Sequence, residues 1–170
     1  GKVSVLVQGN QKVREGGRIM NVATVIAVGV NADGHREVLG VDVITTEDGA
    51  GWLAFLRGLI ARGLSGVSLV VSDAHAGLVK AIGRCFQGAA WQRCRVHAMR
   101  NLLSAAHHKH RAMIAALIRN VFAQPDADTA RPQLRAVVDQ LRPYAPPVAE
   151  RLPVIENDVL SDTGFPPAHW

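Results

Sequence analysis

The sequence predicts an α/β fold in which a mixed sheet comes first and a run of helices follows. Three observations predict it. As far as Thr45 the chain is built of β-branched runs separated by turn residues. From Trp52 the apolar positions repeat at three and four, with the short apolar run Val67–Val71 set between two such stretches. After Arg93 every recognisable period is helical.

Each element has its own signal. Val3 to Val7 alternates and reads as a strand, broken by Gln8-Gly9-Asn10-Gln11. Ile19 to Val30 is dense in β-branched residues and reads as a buried strand. Asn31-Ala32-Asp33-Gly34 closes a hairpin, with Asp33-Gly34 suited to a type I′ turn, and Arg36 to Thr45 is the return strand. Thr46 or Asp48 is the expected cap of a helix whose stripe is Trp52, Phe55, Leu56, Leu59 and Ile60, stopped by Gly63. Val67 to Val71 reads as an interior parallel strand and Ala76 to Phe86 as a second helix. Ala89 to Gln92 is a short fifth strand. Helices are expected over Arg93–Ala106, over Arg111–Ala123 and around Leu134, Val137, Val138 and Leu141. The four prolines between Pro143 and Pro153 predict an irregular connection or a helix in pieces.

A three-stranded antiparallel meander extended by parallel strands, with helices on both faces, is the ribonuclease H-like plan. The expected organisation is a partial core of that kind over residues 1–92 and an all-helical region over 93–170. A doubly wound nucleotide fold is excluded, since there is neither a G-x-G-x-x-G turn nor a phosphate-binding G-x-x-x-x-G-K-[ST].

Composition narrows the class further. With 170 residues, 48% of them apolar, and a mean hydropathy of +0.11, the chain can bury a core and is not a disordered one. No run reaches the length of a membrane span, no signal peptide opens the chain, and two cysteines make no disulfide framework, so a cytoplasmic protein with no membrane partner is expected. The formal charge is +5, and from Ala74 to Pro125 there is no Asp or Glu. That span carries eight Lys and Arg, including Arg93, Arg95, Arg100, Lys109 and Arg111, which suits a polyanion such as DNA or else an ordinary solvated helix face.

Two constellations carry chemistry. Asp73 follows the apolar run Leu69–Val71, where functional carboxylates stand at the carboxyl ends of parallel strands and can hold Mg²⁺; it is equally placed to cap the next helix. Cys94 and His97, three apart, would share a helix face and form half of a zinc site, or a buried thiol beside a hydrogen-bonded imidazole. His107-His108-Lys109-His110 reads as a metal tract or as a solvated helix end.

Several motifs occurring in order resemble the transposases of Mutator-type bacterial insertion sequences. They are Lys12-Val13-Arg14-Glu15-Gly16-Gly17-Arg18, Asn31–Gly40, Asp48-Gly49-Ala50-Gly51-Trp52, Val71-Ser72-Asp73-Ala74-His75-Ala76-Gly77-Leu78 and Trp91-Gln92-Arg93-Cys94-Arg95-Val96-His97. The resemblance implies a ribonuclease H-like DD(E) transposase, whose three acids bind two Mg²⁺ (or Mn²⁺) ions for DNA cleavage and strand transfer. Partners would be insertion-sequence ends and target DNA, with homo-oligomers in the intact family. Asp73 matches the second acid, and Cys94 and His97 match the Cys-x-x-His element after it.

Two departures from the family pattern shape the expectation. The first Asp stands five residues before the Lys of Lys-Val-Arg, and counting back from Lys12 reaches Val7. The third acid, a Glu, follows a segment like Phe165–Trp170, where this sequence stops. Asp42, Glu47, Asp48, Glu156 and Asp158 are poor replacements by position. The expected function is thus a transposase fragment, catalytically incomplete as it stands. A non-catalytic DNA-binding relic and a zinc-stabilised structural domain are the alternatives.

Overall fold

The computed structural model describes residues 2–15, 18–45 and 49–160, the side chains at 10–21 excepted. In chain order the elements are β1 (Val3–Glu15), β2 (Arg18–Asn31), β3 (Arg36–Thr45), α1 (Ala50–Ala61), β4 (Val67–Ser72), α2 (Ala76–Cys85) and β5 (Ala90–Arg93), then α3 (Arg95–Ser104), α4 (Arg111–Phe122), α5 (Ala127–Leu141) and α6 (Pro146–Val159). The five strands form one mixed sheet in the order β3-β2-β1-β4-β5. β1, β2 and β3 pair antiparallel and β4 joins β1 in parallel. The chain divides into two compact units, Gly1–Trp91 and Gln92–Trp170.

In the first unit, β1 is more than twice the length that alternation alone suggests. Gln8, Gly9, Asn10 and Gln11 do not break it; they stay in the ladder opposite Ile26, Val25, Thr24 and Ala23. The pairing supplied by β2, not local propensity, carries the strand through this polar stretch. The β2–β3 hairpin forms where expected, but its turn is of another kind. Gly34 N–H donates to Asn31 O at 3.0 Å, which puts Ala32 and Asp33 at the centre. Gly34 follows with φ 82°, the left-handed residue of a three-residue loop. The Asn31 side chain braces it, accepting from Asp33 N and His35 N at 3.0 Å each.

Thr46 and Asp48 lie outside the described residues, and the cap position of α1 is held by Gly49. The expected stripe does bury Trp52, Phe55, Leu56 and Leu59, while Ile60 is exposed. The helix ends with Gly63 N–H on Ile60 O and Leu64 N–H on Leu59 O, a Schellman closure. Val5 and Val7 of β1, Ala23, Val25 and Ala27 of β2 and Val70 of β4 share one sheet face and form a core with α1 and with Leu78, Ala81 and Ile82 of α2. Within this unit, therefore, both helices cover the same face rather than opposite ones. Ile26, Val38, Val41 and Val43 on the other face of β2 and β3 are exposed. α1 also approaches the sheet edge so closely that a Cβ on Gly51 would collide with the Thr45 carbonyl.

The second unit is helical, with a core drawn from α3 to α6, including Leu102, Ile114, Ile118, Leu134, Leu141, Val148 and Leu152. The proline-rich stretch is not irregular: α6 is one helix from Pro146 to Val159. Pro146 and Pro147 occupy its first positions, where the missing N–H has no intrahelical partner in any case, and only Pro153 interrupts the ladder. The apolar row Val148, Leu152, Ile155 and Val159 compensates by burial. Arg131 of α5 ties the two last helices together, donating to Glu156 Oε1 at 3.2 Å and Asn157 Oδ1 at 2.8 Å.

Candidate functional site

Asp73 stands immediately after the C-terminal end of β4, beside β1 at the middle of the sheet order. It does not cap α2. That role belongs to His75, whose Nδ1 accepts from Leu78 N–H at 3.4 Å. The Asp73 side chain is half-buried and its Oδ1 accepts from the adjacent Ala74 N–H at 2.9 Å. Its backbone is held from within the unit. Trp91 Nε1–H donates to Ser72 Oγ at 2.9 Å, and Ser72 Oγ–H donates to Asp73 O at 2.8 Å. Ser72 is wholly buried. Nineteen residues separate this Ser–Trp pair, so no local spacing announces it; the one sequence signal is a Ser and a Trp at the ends of neighbouring strands. The His75 ring lies 5.7 Å from the indole of buried Trp52, so the turn from β4 to α2 rests on aromatic surface.

The parallel register fixes what lies opposite. Val7 of β1 pairs with Ser72, and Leu6 with Val71. Val7 is 1% exposed and belongs to the apolar core under α1. Among the described residues, no three His, Cys, Asp or Glu side chains are grouped so as to hold a metal ion. Asp42 lies on the outer strand β3, where its Oδ1 accepts from Val43 N–H at 2.8 Å. Glu47 and Asp48 lie outside the described residues. Glu156 is engaged by Arg131 in the second unit.

Cys94 and His97 are not both within the helix. Cys94 is the buried residue that precedes α3, with φ −58° and ψ 117°, and His97 lies in the first turn. His97 Nδ1 is buried with no hydrogen-bond partner. The tract His107–His110 forms a single 3₁₀ turn capped by the His107 ring, with ring centroids 4.3 Å apart between His107 and His108 and 5.6 Å between His110 and Tyr144.

The basic residues separate into two kinds. Arg95 is turned to structural use: its Nε donates to Val159 O at 3.0 Å and its guanidinium lies 4.9 Å over the Phe122 ring, reaching Phe122 O at 3.4 Å. Burial pushes its pKa down. Arg111 donates from Nε to Ala106 O at 3.1 Å. Arg100 and Lys109 are exposed on α3 and on the 3₁₀ turn. Arg93 is half-buried, and its Nε finds no hydrogen-bond partner.

No helix among the described residues is long and apolar enough to cross a membrane. Comparison with known proteins gives consistent names. A family model described as "Transposase, Mutator family" matches residues 5–170. The transposase of insertion sequence element IS1081 from Mycobacterium tuberculosis is 52% identical over 94% of this chain and 38% of its own length. That of IS406 from Burkholderia multivorans is 38% identical over 94% of this chain and 41% of its own. That of IS256 in transposon Tn4001 from Staphylococcus aureus is 38% identical over 71% and 31%. The chain thus spans well under half the length of these curated relatives. Among solved structures, the Drosophila P element transposase strand transfer complex aligns over 61% of this chain at 13% identity with a TM-score of 0.38. On the extent of the family match and the identity to these relatives, the chain belongs to the Mutator family of transposases.

Proposed function

We propose that this chain is part of a transposase that acts on the DNA of an insertion sequence, built on a ribonuclease H-like core, and that as it stands it handles DNA without cleaving or joining it. Family membership carries the first part. The sheet order, with three antiparallel strands and β4 added in parallel to β1, supports the core assignment. Asp73 at the end of β4 is the residue that would retain a metal-binding role.

The observation that carries the second part is Val7 opposite Ser72. Two-metal phosphoryl transfer needs several carboxylates converging on ions about 3.5–4 Å apart. Beside Asp73 the neighbouring strand offers a buried isopropyl group instead. Among the described residues, the donors beside Asp73 do not fit a pair of Mg²⁺ or Mn²⁺ ions: one carboxylate leaves most of the charge of two close divalent cations uncompensated. A strand-transfer assay on inverted-repeat duplex with Mg²⁺ or Mn²⁺ tests this reading. No nicked or joined product is expected, and product formation that Asp73→Ala abolishes would overturn it.

A further inference from the structure

We propose that the groove between α3 and α6 holds a phosphodiester of duplex DNA, gripped by Arg93 and Arg151. The proposal rests on the reading of the chain as a DNA-handling piece and names where the backbone would lie. The groove is a cavity of about 650 Å³, and every residue lining it belongs to the second unit. Its polar lining includes Arg93, Asn101, Glu150 and Arg151, and Leu102 and Val154 supply aliphatic wall.

Three observations point to an anionic occupant. Arg93 Nε is buried without a hydrogen-bond acceptor. A buried charged donor left unmatched is costly, and an acceptor from a ligand would complete it. Second, two arginines and one acid line the groove, and neither Arg93 nor Arg151 is ion-paired to Glu150 or to any other acid among the described residues. The groove keeps a net positive charge that its own acid does not neutralise. Third, the α3 wall belongs to the stretch from Ala74 to Pro125 that contains no acid, so that side of the groove adds no negative charge.

The mixture of donors and aliphatic surface selects the class of anion. A planar guanidinium fork matches two phosphate oxygens, and Asn101, exposed on α3 and lining the same groove, can meet a neighbouring backbone oxygen. Val154, exposed on α6, offers an apolar surface to a deoxyribose face between phosphates. A small dicarboxylate or free phosphate would leave that wall bare. Arg151 lies outside the acid-free stretch, so the sequence does not single it out; the packing of α6 beside α3 places it on the same groove as Arg93.

Fluorescence anisotropy of the full chain on a labelled duplex, titrated with salt, tests the proposal. Arg93→Met and Arg151→Met should each weaken binding roughly tenfold and lower the log–log salt slope by about 1, as expected for one lost phosphate contact. Arg142→Met removes the same charge from the exposed end of α5, outside the groove, and should change affinity less than about twofold. Glu150→Gln should tighten binding by about threefold, a gain that misfolding cannot produce. Unchanged binding by both groove variants, or an equal loss with Arg142→Met, overturns the groove while leaving the DNA reading intact. Failure of the unsubstituted chain to bind duplex overturns the DNA reading and the groove with it.

Discussion

Val7 stands opposite Ser72 in the parallel β1–β4 ladder, one residue before Asp73. The two strands are adjacent near the centre of the sheet, so the position on β1 closest to the Asp73 end of β4 is filled by an apolar side chain with 1% exposure. A lone carboxylate at a strand end binds a hard cation weakly, because each further oxygen ligand must come from water. The same valine contributes to the core beneath α1. One residue thus bears both on the stability of the first unit and on the donors that β1 offers Asp73.

Val7→Asp should therefore act in two ways. Burying an unmatched carboxylate costs on the order of 3 kcal/mol, so the melting temperature should fall by roughly 10 °C. A divalent cation shared with Asp73 would offset part of that cost. Millimolar Mn²⁺ should raise the melting temperature of the variant and leave that of the unsubstituted chain unchanged. An equal response of both to Mn²⁺ would separate position 7 from Asp73 functionally.

The Trp91–Ser72 bond makes a second prediction. Ser72→Ala strands the Trp91 indole N–H in a half-buried setting, at a cost of about 1–2 kcal/mol. Trp91→Phe should cost a similar amount through the partner left behind. Because the two residues share one bond, the double variant should be less destabilised than the sum of the singles. Denaturant melts of the four proteins measure the coupling, and strict additivity would rule it out.

What the sequence reveals and what it hides divides along one physical line. Elements whose signal is local are legible: the α1 stripe of Trp52, Phe55, Leu56 and Leu59, the apolar β4 and the position of Asp73 at its end. Features decided by distant partners are not. Gln8 to Gln11 look like a break because nothing local shows that β2 will pair with them. Pro153 looks like a helix stop because the burial of Leu152 and Ile155 is not visible locally. Cys94 and His97 look like one helical face, yet the chain enters α3 only after Cys94. Asp73 reads as a possible cap, whereas the His75 ring takes that role.

Asp126 gives a pH-dependent prediction. It caps α5, its Oδ1 accepting from Thr129 N–H and Oγ1–H at 2.8 Å each. The backbone bond from Thr129 and then the hydroxyl hold its carboxyl below the ordinary carboxylate range. A carboxyl with a depressed folded-state pKa stabilises the fold above the unfolded value of about 3.9, and that contribution fades as pH falls through the lower folded value. Asp126→Ala should lower the melting temperature by roughly 2–4 °C at pH 7, as for loss of a helix cap. The gap to the unsubstituted chain should narrow below pH ~4. A gap that stays constant down to pH ~2 would show that the ionised form is not what caps the helix.

Arg95 lies within a sequence stretch that invites a DNA-contact reading, and its geometry leads to the opposite expectation. It spans the ends of two helices, meeting the carbonyl of Val159 at the end of α6 and that of Phe122 at the end of α4. Both carbonyls belong to last turns that lack intrahelical donors, and a cation there also opposes the negative dipole end. Charge-assisted bonds of this kind are worth about 1.5–3 kcal/mol, so Arg95→Met should lower the melting temperature by roughly 5–10 °C. Arg95→Lys should recover little, since one ammonium cannot reach both carbonyls and lie flat on the Phe122 ring. The loss should persist at high salt, because the partners are half-buried carbonyls and an aromatic face rather than a surface carboxylate. Burial lowers the Arg95 pKa from its ordinary value. The guanidinium is still charged throughout pH 5–9, so the effect of the substitution should be flat across that range. Below the melting transition, duplex affinity per folded molecule should be unchanged. A variant that melts like the unsubstituted chain yet loses DNA affinity would return Arg95 to the nucleic-acid surface and sink the structural assignment.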